Sequence, residues 1–189
     1  MRQRQSDPSE TIRNLALDGI WTAVLVLLGM VKLPSLVPGA EFQLSAPYAV
    51  CLAATVGFQR YLGIGICSSV IQLMFGTHTL WNVATAMVFR VVAGGMAAGQ
   101  DGVSPGRGRL LLAGPAGTAC ARLMLAAVLQ VPAAPLLAAA VPGMVFTAVC
   151  ASFLYPVFRQ AAAQGTRMAC RHRTSGKGEN QREHSGGKP

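Results

Sequence analysis

Residues 136–158, LLAAAVPGMVFTAVCASFLYPVF, contain no Asp, Glu, Lys or Arg. As a helix this stretch extends about 35 Å, enough to cross a hydrocarbon core of about 30 Å. Comparable apolar runs recur upstream, over 15–33, 46–58, 61–75, 80–98 and 109–131. Of the 189 residues, 52% are hydrophobic and 12% charged, a balance unlike that of a soluble domain of this size. The pattern predicts an all-α, polytopic membrane protein: a bundle of six transmembrane helices over 15–159, with a polar cytoplasmic arm at 1–14 and a basic, disordered cytoplasmic tail at 160–189. The first run is long, follows a polar arm of mixed charge and leads into no clear small-residue cleavage site. It is therefore expected to remain in the mature protein rather than be removed as a signal peptide.

The net charge of +9 is distributed unevenly. With six spans, Arg2, Arg4, Arg13, Arg60, Arg107, Arg109, Arg159 and every basic residue of the tail fall on one side, and Lys32 alone falls on the other. Cytoplasmic loops are enriched in Lys and Arg, so both chain ends are expected inside. The tail lacks aromatic residues other than histidine, which argues against nucleic acid and for contact with anionic lipid headgroups.

Catalysis needs convergent reactive groups, and the chain holds only 7 acidic residues, of which Asp18 alone lies in a span. A Gly-x-Ser-x-Gly elbow, a His-Glu-x-x-His pair and a phosphate-binding Gly-x-x-x-x-Gly-Lys loop are all missing. The chain is expected not to be an enzyme, to need no cofactor and to supply no ATPase. The 5 cysteines have no metal-ligand spacing and read as packing residues; Cys170 and His172 are too few for a metal site.

Three charges fall within the predicted spans: Asp18, Arg90 and Arg122. Each is expensive in lipid and must face protein or a water-filled cavity. Asp18 and Arg90 share the cytoplasmic half and are expected to pair. Arg122 lies near mid-depth without an evident acidic mate, as a candidate for an anionic ligand group or for a backbone-carbonyl or snorkelling contact.

A second constellation lies in the outward loops. Glu41, Gln43 and Ser45 of the first can meet His78, Trp81 and Asn82 around the third, giving donors, acceptors and a stacking surface. The same residues can also be an interfacial tryptophan, a helix-capping serine and solvated polar groups. Small residues suggest close helix contacts at Gly63, Gly65, Ser68 and Ser69 of the third span, at Gly95 to Gly99 of the fourth, and at Ala113, Gly117 and Ala121 of the fifth.

The first span ending Lys32-Leu33-Pro34, the loop Gly39-Ala40-Glu41-Phe42-Gln43-Leu44-Ser45, the short second span, Gly57-Phe58-Gln59-Arg60-Tyr61 and the small-residue third span together resemble the S components of energy-coupling factor importers. These are six-helix, substrate-binding membrane subunits. The order of polar segments from Gly76 to Arg90 is similar to that of tryptophan-transporter-like members. The resemblance implies a bacterial plasma-membrane protein that captures a small metabolite or vitamin from outside, in a pocket under the first and third loops. It also implies a transmembrane coupling subunit and two separate ATPases as partners. Family members dock that subunit through alanines four apart on the first helix; here Ala16 stands with Ile20 and Gly19 with Ala23, an imperfect version. The other class left open is a small membrane scaffold or regulatory subunit that binds no ligand.

Overall fold

The structure, a computed structural model, describes residues 8–34, 41–98 and 106–185, with side chains over 11–31, 44–98 and 106–161. Its helices are α1 (Pro8–Met30), α2 (Ser45–Val56), α3 (Phe58–Met74), α4 (Leu80–Ala97), α5 (Arg107–Leu129) and α6 (Ala133–Ser185). Between α1 and α2, where the sequence suggests only a loop, β1 (Lys32–Pro34) pairs antiparallel with β2 (Glu41–Gln43), with Leu33 opposite Phe42.

Among the described residues, four helices are long and apolar enough to cross a membrane: Thr11–Met30, Leu80–Ala97, Arg107–Leu129 and Ala133–Ala161. Their outward faces expose Ile12, Leu27, Leu112, Val145 and Phe153, among other large apolar side chains. Faces of that kind, on helices of that length, are those of a membrane helical bundle.

The shorter α2 is placed differently. Its 12 residues extend about 18 Å, and Pro47 through Ala53 are all buried. Being apolar on every side, it packs against all five other helices and forms the axis of the molecule. Cys51, fully buried, donates its thiol to the Ala151 carbonyl at 3.4 Å, whereas Cys67 and Cys120 are exposed on the outer faces. An aromatic cluster of Trp21, Tyr48 and Phe158 joins α1, α2 and α6, with ring centroids 5.2 to 6.1 Å apart.

Several local expectations are corrected. Ser45 does not cap α2 but is its first residue; Leu44 occupies the cap position and makes no side-chain bond. The α2–α3 break falls at Gly57 rather than at Gln59-Arg60, because Gly57 adopts φ +85°, a conformation glycine reaches without steric cost. Gln59 and Arg60 therefore begin α3. In α4 the contact glycine is Gly94: a methyl there would lie 2.6 Å from a Tyr61 ring carbon, whereas one on Gly95 would meet nothing within 4 Å. Gly99 lies outside the described residues. The small face of α5 does pack closely, Gly117 lying against Phe89 and Ala93 of α4. The helix α6 runs past Arg159 to Ser185. Gln160-Ala161-Ala162-Ala163-Gln164 are good helix formers, and extending an existing helix needs no new nucleus.

Candidate functional site: a cavity between the helices

Regular spacing brings one face of each long helix toward a common space. On α4, Asn82, Thr85, Ala86, Phe89 and Arg90 recur at intervals of three and four; on α5, Thr118, Ala121, Arg122 and Leu125 do the same. Ala139, Gly143 and Thr147 continue the wall along α6, while Leu25, Ala49 and Gln72 close it from α1, α2 and α3. The partly open cavity between them has a volume of about 560 Å³, within the range of small-molecule sites.

Arg90 is the most constrained polar group in this wall. Its side chain is only 6% exposed, yet among the described residues no carboxylate bonds it. Nη1 donates to Ser69 Oγ, and Nη2 donates to Ser68 Oγ at 3.0 Å. Ser68 in turn donates to the Gly65 carbonyl at 2.9 Å. A methyl on Gly65 would lie 2.6 Å from Arg90 Cδ, so the glycine makes room for the arginine stem. The small residues of α3 thus form a cradle for one guanidinium, beyond the helix contact their size suggests.

The expected Asp18–Arg90 pair does not form. Asp18 Oδ1 accepts from Arg60 Nη2 at 2.6 Å, in an ion pair whose side chains are 28% and 43% exposed. The direct packing of α1 on α3 brings these groups together, because Arg60 sits in the first turn of α3. Arg90 is left facing the cavity. Arg122, half-buried, lines the same space.

Of the residues singled out from sequence, Ser45, His78, Asn82 and Arg122 line this cavity. Asn82 is fixed in the first turn of α4 by its backbone N–H, which donates to the Thr79 hydroxyl at the helix cap. Trp81 is not part of the wall and is 51% exposed. The side chains of Glu41 and Gln43 lie outside the described ones; their backbone belongs to β2. Arg90, Gln72, Thr118 and Thr147 were not foreseen as lining residues. The spacing of Gly65, Ser68 and Ser69, at i, i+3 and i+4 on one helical face, is the signal that could have pointed to a partner for Arg90.

The wall combines hydrogen-bonding groups with apolar surface. Thr118 and Thr147 donate their hydroxyls to carbonyls of their own helices, at 3.0 and 2.8 Å. Their oxygens remain able to accept. Gln72 donates from Nε2 to the Val26 carbonyl at 3.4 Å, holding α3 to α1 beside the cavity. The described residues include no group of three or more His, Cys, Asp and Glu positioned for a metal. The side chains of Cys170 and His172 lie outside the described ones.

No protein-family model matches the chain. Protein BioX of Lysinibacillus sphaericus is similar to it, at 40% identity over 159 residues that cover 84% of this chain and 92% of that protein.

Proposed function

The chain belongs to the family of Protein BioX, and from that premise we propose that it is the substrate-binding membrane subunit of an importer for a small metabolite or vitamin. The observation that carries the proposal is the cavity of about 560 Å³, walled by all six helices and lined by both polar and apolar side chains. A helix bundle acting only as a scaffold gains nothing from such a space, since an interior void forfeits packing contacts. The first part of the relative's name makes biotin the first vitamin to test.

In this proposal the bundle spans the bacterial plasma membrane six times with both ends inside. Although α2 and α3 are shorter than the other helices, their packing among the long ones supports counting them as spans. Ser45 and His78 then face outside and the basic segments face anionic lipid on the cytoplasmic side. The chain is a binding protein rather than an enzyme. Lacking a phosphate loop, it takes its energy from two separate ATPases through a transmembrane coupling subunit, as its resemblance to energy-coupling factor S components implies.

Affinity purification of the tagged protein from its own cells in mild detergent, followed by mass spectrometry, tests this. The expected result is co-purification of two ATPases and a larger membrane subunit. Their absence, under conditions that preserve a known importer complex, would replace the importer subunit with a scaffold or regulator.

A further inference from the structure

Resting on the proposed solute-binding role, we infer that the solute is an organic acid whose carboxylate is held by Arg90 and Arg122. Both residues line one cavity, and among the described residues no Asp or Glu lines it with them. Asp18 is the only carboxylate among the described side chains, and its partner is Arg60. Among the described residues the buried guanidinium of Arg90 hydrogen-bonds two neutral serine hydroxyls, packs near the neutral Tyr61 phenol and meets no carboxylate. A buried charge is costly unless an opposite charge compensates it. A guanidinium has five N–H donors, so the two serine bonds leave others to meet an incoming anion.

Two further features favour an anion at this place. Ser45, the first residue of the buried helix α2, lines the cavity, which brings the positive end of that helix dipole to the same space. Asn82, in the first turn of α4, does likewise. The apolar part of the wall, including Leu25, Ala49, Phe89, Leu125 and Phe146, lies beside the polar Gln72, His78, Thr85, Thr118 and Thr147. It suits the carbon skeleton of a solute better than the hydration shell of an inorganic ion. Arg90, with its donors fixed by Ser68 and Ser69, is the selecting group, and Arg122 is the second cation.

The test uses the full chain in detergent, incubated with a deproteinised metabolite extract of the producing cells, desalted and read by mass spectrometry. The expected outcome is retention of a carboxylic acid. Affinities of that acid and of its primary amide are then compared by titration calorimetry. The amide should bind about 30-fold more weakly or worse, as expected when a charged pair loses one partner. Arg90→Gln should weaken the acid by a similar factor while leaving the amide's affinity nearly unchanged, a difference that a merely structural role would not produce. Arg122→Gln, at a half-buried site, provides a second variant with the same expectation. Retention of a solute without a carboxylate, or equal binding of acid and amide by the unaltered protein, would overturn the inference while leaving the importer role standing. Retention of no solute would overturn the binding role itself, and this inference with it.

Discussion

Arg90 on α4 donates through Nη2 to Ser68 Oγ on α3 at 3.0 Å, with both side chains buried. The bond joins two helices and also fixes a guanidinium in the cavity wall. Ser68→Ala removes the acceptor and leaves a buried N–H without its partner, so unfolding in mixed micelles, followed by circular dichroism, should show a loss of about 1 to 3 kcal/mol. Gly65→Ala pushes a methyl against the same arginine stem and should cost a similar amount, about 1 to 3 kcal/mol, through overpacking.

The ion pair of Asp18 with Arg60 should behave otherwise. Its side chains are 28% and 43% exposed, so solvent screens the attraction. Asp18→Asn is expected to cost less than about 1 kcal/mol in the same unfolding measurement. It should also leave solute affinity unchanged, since neither partner lines the cavity. A large loss of affinity would mean that Asp18 is coupled to the site.

Adjacent glycines on α4 should respond in opposite directions. Gly94→Ala places a methyl 2.6 Å from the fully buried ring of Tyr61 and should destabilise by about 1 to 3 kcal/mol. Gly95→Ala meets nothing within 4 Å and should be neutral or stabilising by up to about 1 kcal/mol, because alanine favours the helix. Equal losses would contradict the α3–α4 packing described above.

Topology follows from thiol labelling in a cysteine-free background. Thr77→Cys, in the turn between α3 and α4, should react with a membrane-impermeant maleimide in intact cells. Arg109→Cys, in the first turn of α5, should react only after permeabilisation. Reversed labelling would invert the proposed orientation, and labelling of both from outside would change the number of spans between them.

Much of the fold was legible in the sequence because apolar run length reports directly on helices that face lipid. The fourth and fifth runs, 80–98 and 109–131, differ from α4 and α5 by at most two residues at either end. The α2–α3 break was less legible. Gln59 and Arg60 look like a polar turn, but they are tolerated inside a helix, and Arg60 gains Asp18 as a partner there. The backbone reversal instead uses the single residue with φ +85°. The site was partly legible for the same reason: the polar Ser45, His78 and Asn82, at or beside helix starts, stand out among apolar neighbours, and all three line the cavity. Trp81 stands out as strongly, but the helical period turns it off the face shared by Asn82 and Thr85. The role of Arg90 depends on which helix packs beside it, and charge alone makes Asp18 as reasonable a partner as two serines. That information resides in tertiary contacts.

Gly143 offers the most direct test of solute binding in the cavity. It lines the space, and a Cβ atom placed there meets nothing within 4 Å. Gly143→Leu should place its side chain in the cavity space, and replacing glycine within the helix should keep or raise stability, by up to about 1 kcal/mol. The measurement is native mass spectrometry of the unaltered and Gly143→Leu proteins, purified side by side after exposure to the same metabolite extract. Solute binding in the cavity predicts a small molecule bound to the unaltered protein and lost from a variant that remains folded. An identical bound molecule on both proteins, or none on either, would contradict it.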